Sequence, residues 1–279
     1  MTEQILNENE FSLLRLLPVI RRARDFRLYT DKGRLIDLWQ NGGAAILGHT
    51  PPSMLREIKN ASSRGLYAPF PHFLEGRCRK ALSLIFPGRN FLFFAAPPPG
   101  LEKLIADGTA YLWRPCLNPQ SPLAVPEKSP PVLIPVVPGI LGWRNNMPLG
   151  LCILALDSGF KADVFQTEFL PPVLLAATAR GIHDLIAAAP SRANPGFKRI
   201  AKALKSGGTG SAFWQRNCIY LQPRSKPSSE EWASLFRLFL DAGFLLPPLA
   251  SQPVILPGIL SPGEEAKLAA ILFSTNTCL

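Results

Sequence analysis

The sequence is poor in the residues that build metal centres and covalent frameworks. Its three histidines, His49, His72 and His183, lie far apart and show no metal-ligand spacing. The five cysteines, Cys78, Cys116, Cys152, Cys218 and Cys278, are odd in number and contain no C-x-x-C pair. That excludes a cysteine zinc site by spacing and argues against a disulfide framework, so reduced thiols are expected. Charged residues make up 18% of the chain, below the usual quarter. The first residues include Glu3, Glu8 and Glu10 but no basic start followed by an apolar stretch, so no secretory signal is expected. Long apolar runs are also missing. The most apolar stretch, Pro130 to Leu156, is broken by several prolines and by Arg144, which argues against a spanning helix. The order G-x-x-x-x-G-K-[ST] does not occur. Lys205-Ser206-Gly207-Gly208-Thr209-Gly210-Ser211 follows a helical pattern and reads as a flexible connection.

What is present is apolar material, proline and positive charge. The 279 residues are 47% apolar, enough to bury the core of one large domain or two small ones. The 29 prolines are about twice the ordinary share, which shortens regular elements. The formal net charge is +10. Its densest groups are Arg15, Arg21, Arg22, Arg24 and Arg27, then Arg77, Arg79 and Lys80, then Lys198, Arg199, Lys202 and Lys205. Each group fits a solvated helix face. With no aromatic-and-basic RNA motif beside them, neither nucleic acid nor membrane is expected as a partner.

Periodicity and turn residues give the elements. Residues 11–24 read as a short, interrupted helical arm. Phe26–Thr30 and Leu35–Trp39 read as strands around an Asp31-Lys32-Gly33 turn. Helices are expected over 51–66, where Met54, Leu55 and Ile58 share a face, and over 70–86. Phe91–Ala96, Val132–Val137 and Gly150–Ala155 read as buried strands, separated by an irregular region 97–131 that contains a short helical stretch around Leu101–Ile105. Pro172–Ala188 reads as a helix with Pro190 just beyond its end, and 195–205 as a second helix. Then follow a strand over Ala212–Leu221, a helix over Glu230–Gly243, an extended Phe244–Leu256, and a helix to Phe273 opened by the capping box Ser261-Pro262-Gly263-Glu264. Taken alone, the residues show no catalytic constellation.

Three ordered stretches carry a resemblance. The first is Leu28-Tyr29-Thr30-Asp31-Lys32-Gly33-Arg34-Leu35-Ile36-Asp37-Leu38, followed by Gly42-Gly43 and Gly48-His49-Thr50-Pro51-Pro52. The second is Met147-Pro148-Leu149-Gly150, then Thr167-Glu168-Phe169-Leu170-Pro171-Pro172 before an alanine-rich helix. The third is Leu238–Leu272. Together they resemble the class III, pyridoxal-phosphate-dependent aminotransferases, most closely the glutamate-1-semialdehyde aminomutase branch. The resemblance covers about two thirds of the chain, and its strength lies in the shared order.

The resemblance implies a fold and its departures imply a function. The expected fold is α/β, a reduced fold-type-I large domain of the pyridoxal-phosphate-transferase kind with a small α/β C-terminal domain. The expected boundaries are 1–50 for an N-terminal arm and hairpin, 51–190 for the shortened large domain, and 191–279 for the small domain. The family's cofactor lysine falls at Leu141, and leucine cannot form a Schiff base. Pro97-Pro98-Pro99-Gly100 stands where the family's phosphate-holding helix begins, and prolines remove N–H donors there. The middle of the large domain, with its aspartate for the pyridine nitrogen, has no counterpart between about Lys103 and Pro131. Gly100 and Thr167 remain as vestigial cofactor-binding positions, Thr167 matching a phosphate contact given across a dimer interface.

No catalytic residue, no cofactor and no metal are therefore expected. The expected protein is a cytoplasmic, catalytically inactive aminotransferase-like chain acting through protein contact, as a homodimer or paired with an aminotransferase-like chain. Two alternatives stay open. One is an active pyridoxal-phosphate aminotransferase or aminomutase using a displaced lysine, Lys103, Lys128 or Lys161. The other is a basic protein binding RNA or lipid.

Overall fold

The computed structural model describes residues 12–126, 128–139, 142–144, 147–160, 165–205 and 213–278. In chain order the strands and helices are β1 (Ile20–Arg24), β2 (Arg27–Thr30), β3 (Gly33–Asp37), α1 (Pro52–Ser62), α2 (Phe73–Ser83), β4 (Asn90–Phe94), α3 (Leu101–Ala106), β5 (Ala110–Trp113), β6 (Val132–Pro135), β7 (Gly142–Arg144), β8 (Met147–Leu149) and β9 (Cys152–Leu156). There follow α4 (Pro172–Ala193), α5 (Lys198–Lys205), β10 (Trp214–Asn217), β11 (Tyr220–Pro223), α6 (Ser229–Asp241), β12 (Phe244–Leu245), β13 (Val254–Ile255) and α7 (Pro262–Cys278). The architecture is mixed α/β with several sheets. The chain divides into two compact units, one formed by Met1–Gly42 with Ser191–Leu279 and the other by Gly43–Pro190.

In the first unit a sheet runs in the order β1-β2-β3-β12. The first three strands form an antiparallel meander, and β12 adds to β3 in parallel, Phe244 beside Ile36 and Leu245 beside Asp37. The helical arm expected over 11–24 is corrected here. Residue 11 lies outside the described residues, residues 12–14 make one helical turn, and past Pro18 the arginine-rich stretch is β1. An edge strand facing water needs no apolar period, and cationic side chains suit it because they discourage pairing with other chains. Arg22 sits opposite Tyr29 in the register, with its guanidinium 4.4 Å from the ring centre.

A second sheet, β10-β11-β13, lies in the same unit. The strand expected over Ala212–Leu221 is in fact a hairpin, turned at Cys218 in the left-handed region (φ 56°). Residues 206–212 lie outside the described residues. The aromatic stripe predicted on α6 is core: Trp232, Leu235, Phe236 and Phe239 are buried, with Trp214 edge-on to Trp232 and Phe239. Two reciprocal capping boxes open α6 and α7, Ser228 with Glu231 and Ser261 with Glu264. Glu264 also accepts from Arg27 at 3.1 and 2.6 Å and pairs with Arg34 at 3.0 Å. Arg192, at the end of α4, is buried. It donates to the Gln40 side chain (3.2 Å) and to the Leu256 carbonyl (2.5 Å), and it lies over the Phe26 ring.

The second unit is built on the sheet β4-β9-β6-β5. Strand β9 runs antiparallel to both β4 and β6, while β5 is parallel to β6. A parallel neighbour demands a crossover. Here the crossover is the proline-rich stretch 114–131, which has no strand or helix of its own among its described residues. It is tied down by Cys116 N–H to the Pro122 carbonyl (2.6 Å), by Trp113 Nε1–H to the Ala124 carbonyl (3.1 Å), and by Arg89, which donates to Ser129, Pro130 and Pro131. Helix α4 continues through Pro190 to Ala193 rather than stopping at Ala188.

Candidate functional site

Strand β4 (NFLFF) is apolar because both faces are enclosed for most of its length, yet it is the outer strand of its sheet. An open outer edge would leave peptide groups unpaired. The segment beginning at Thr167 closes it. The Phe93 N–H donates to Thr167 Oγ1 (3.0 Å), and the same hydroxyl donates to the Phe93 carbonyl (3.3 Å). The next residue continues the pattern: Glu168 N–H donates to the Phe93 carbonyl (2.8 Å), and its carboxylate accepts from Ala95 N–H (2.9 Å). The Thr167 side chain thus does the work of a peptide group in a strand. Thr167→Val, which keeps the shape and removes the hydroxyl, is expected to cost about 1 kcal/mol. The check is a lower urea midpoint at unchanged slope, with Thr167→Ser close to wild type.

Gly100 is the N-cap of the six-residue α3 and takes a left-handed conformation (φ 86°). The helix start is already internally bonded, Leu101 N–H to the Pro98 carbonyl (3.2 Å) and Leu104 N–H to the Gly100 carbonyl (3.3 Å). Leu101 itself is fully buried. It belongs to an apolar cluster with Phe94, Ala110, Val132, Ile134, Met147, Cys152, Leu154 and Leu156, against which Phe160 and Phe165 pack. Burial first, and the nearby Glu168 charge second, push the Cys152 thiol up to about 12, so it stays protonated and is a poor nucleophile.

The structure brings Gly100 and Thr167 onto segments that both adjoin the end of β4. Leu141, at the expected lysine position, lies outside the described residues, as does Lys161. Lys103 and Lys128 are both exposed. His72 caps α2, its Nδ1 accepting from Leu74 N–H (3.2 Å). No group of His, Cys, Asp and Glu able to hold a metal occurs among the described residues. No helix among them is long and apolar enough to cross a membrane.

A surface feature beyond the sequence expectations lies on the same unit. A cleft of about 300 Å³ opens between α1, α2 and α4. Its floor is Leu74, Ala176 and Ala179, and its rim carries Arg77, Lys80, Arg180, His183 and Glu57. Arg180 is held by Asp184 one turn on, through 2.9 and 2.5 Å bonds. The signal was present as the run Arg77, Arg79 and Lys80. Helical spacing alone does not tell a solvated face from the wall of a cleft.

No known family model matches the sequence. Among solved structures, the chain is similar to ornithine δ-aminotransferase of Plasmodium falciparum (TM-score 0.63, 11% identity, 99% of this chain and 97% of that one). It is also similar to an omega-transaminase of Sphaerobacter thermophilus (TM-score 0.63, 11% identity, 96% of each chain). At such identity the likeness concerns the fold, which is that of the pyridoxal-phosphate-dependent aminotransferases. In sequence, an uncharacterized protein of Treponema pallidum is 28% identical over 280 residues, 88% of this chain and 91% of that protein. An uncharacterized protein of Borreliella burgdorferi is 44% identical over 274 residues, 95% of this chain and 94% of that protein. Sharing that identity along almost its whole length, the chain belongs to the same family as the Borreliella protein.

Proposed function

We propose that the chain is a catalytically inactive relative of the class III aminotransferases, from the glutamate-1-semialdehyde aminomutase branch with a shortened large domain, that works in the cytoplasm through protein contact. In this reading it pairs with itself or with an aminotransferase-like chain. The observation that carries the reading is how Gly100 and Thr167 are used. Both stand where the resemblance puts contacts to the cofactor phosphate. At both, the hydrogen-bonding groups are engaged within the chain: the Thr167 hydroxyl with Phe93, and the first amide of α3 with Pro98. The prolines at 97–99 supply no N–H, and the cluster beside them is apolar. The described residues there do not fit a phosphorylated pyridine. The absence of an amine at Leu141 supports the same conclusion, and so do the exposed positions of Lys103 and Lys128, since a Schiff-base lysine is normally tuned by burial.

Incubation with pyridoxal phosphate tests this. No absorbance band of a protein aldimine is expected, and no borohydride-stable adduct on a single peptide after digestion. A stoichiometric adduct on one lysine would overturn the reading and identify the displaced lysine in the same experiment.

A further inference from the structure

We propose that the surface formed by α5 and the β10–β11 hairpin of the first unit binds the phosphate backbone of a nucleic-acid duplex without reading its bases. The charge of the chain is concentrated there. Residues 185–229 contain eight arginines and lysines and no aspartate or glutamate, so they supply eight of the ten net positive charges. The rest of the chain is close to balance, with 22 cations against 20 carboxylates. Such a block exceeds what a solvated face needs, because the other helices of the same unit mix both signs. Helix α6 has Glu230, Glu231 and Asp241 beside Arg237, and α7 has Glu264 and Glu265 beside Lys267. Helix α5 has Lys198, Arg199, Lys202 and Lys205 and no carboxylate.

The fold turns this composition into a surface. Ile200 and Ala203 are buried, and α5 packs on α7. On the opposite side Lys198, Lys202 and Lys205 stand at i, i+4 and i+7, so their stems rise from one face over about 10 Å of helix axis. They are exposed and, with Ala201, line a hollow of about 400 Å³. No ion pair among the described residues involves Lys198 or Lys205. Arg199 is oriented by its bond to the Pro262 carbonyl (3.3 Å). Helix α5 also touches β10. The hairpin that β10 opens presents Gln215, Asn217 and Gln222 to water, Gln215 opposite Gln222, and exposed Arg224 and Lys226 follow it. Amide, guanidinium and ammonium groups are the donors that phosphate oxygens accept from.

What the surface lacks selects among polyanions. Among the described residues of 185–229 no large apolar side chain is exposed. An apolar-anchored peptide, or a membrane into which side chains insert, therefore finds no hold there. The rings of Phe197, Trp214 and Tyr220 are buried, so they offer unpaired bases no stacking platform. The regular phosphates of a duplex need only cations and donors, and the missing RNA motif bears on base reading rather than on backbone contact. The surface lies in the unit that holds neither Gly100 nor Thr167, so this binding goes beyond the proposed function and does not depend on it.

The probe is a fluorescein-labelled DNA duplex of about 20 base pairs, followed by anisotropy with the full chain, beside an RNA duplex of the same sequence. Saturable binding is expected at about 50 mM salt, with the logarithm of the affinity falling linearly as the logarithm of salt rises. Lys198→Gln/Lys202→Gln/Lys205→Gln should weaken it at least tenfold and reduce the slope by about 2.7, three phosphate contacts at about 0.9 each. These lysines are exposed, so circular dichroism of the variant should match wild type. Lys32→Gln/Arg64→Gln/Lys80→Gln removes the same charge from exposed positions elsewhere and should keep the wild-type slope. The proposal falls if neither duplex binds saturably, if the α5 variant binds as wild type does, or if the second triple variant loses as much. It falls also if phosphatidylglycerol vesicles or polyglutamate displace the duplex at equal charge, or if the single strand binds more tightly than the duplex.

Discussion

Gly139→Ala is expected to lower the unfolding free energy by about 4 kcal/mol, the larger part from overpacking and the rest from a backbone conformation that side chains rarely adopt. Gly139 has φ +110°, and a Cβ there would lie 2.0 Å from Thr178 Oγ1 and 3.1 Å from Thr178 Cα. Thr178 is buried in the middle of α4, so its backbone cannot retreat. The same crossing is tight on its other side, where Pro138 Cβ lies 2.6 Å from the place a Cβ on Gly181 would take. Thermal unfolding followed by circular dichroism gives the size of the effect. Adding Thr178→Ala should recover only part of it, since the crowding against the α4 backbone and the strained φ persist. Gly142→Ala is the control. Among the described residues its Cβ would meet nothing nearer than Leu149 Cβ at 4.0 Å, and little change is expected.

Glu264→Gln should cost about 3 kcal/mol at neutral pH, because it leaves the largely buried Arg27 guanidinium without its counter-ion. Burial pushes the Glu264 carboxyl up, but the two bonds from Arg27 and those from Ser261 outweigh it, and the net shift is downward. Arg27 moves in the matching direction, raised first by its bond to Glu264. The sign of the pH dependence follows. A carboxyl that is more acidic when folded contributes stability above its unfolded value of about 4.3, and loses it as pH falls through the folded value. The gap between wild type and Glu264→Gln should therefore be full near pH 7 and close steadily in urea titrations below about pH 4. A gap that stays constant to pH 3 would mean that the charge is not what Arg27 needs.

Local chemistry was legible in the sequence and long-range pairing was not. The Ser261–Glu264 box, the start of α4 at Pro172 and the apolar strands β4, β6 and β9 each have their cause within a few residues. Strand β1 does not, since nothing but its pairing with Leu28, Tyr29 and Thr30 distinguishes it from a basic helix. Strand β5 was hidden in a proline-rich surrounding, and its parallel partner β6 lies beyond an irregular crossover. At the candidate site, the sequence reading put forward the positions Gly100 and Thr167. It could not find the engagement of the Thr167 hydroxyl, because Phe93 is more than seventy residues away. The shared face of Met54, Leu55 and Ile58 on α1 was legible, but not that Leu55 and Ile58 stay exposed, because a helical apolar period does not say how far a face is buried.

The parallel pairing of β3 with β12 bears on synthesis. Strand β3 leaves the ribosome first, and its neighbour is made only after some two hundred further residues. At ~5–20 residues per second that is a wait of ~10–40 s. During it Leu35, Ile36 and Leu38, all buried in the finished protein, have no partner from the C-terminal stretch. The Gly43–Pro190 unit is translated whole within this interval. Nascent chains stalled before residue 244 should therefore hold a protease-resistant central fragment while the N-terminal meander is still open to chaperones and to cleavage.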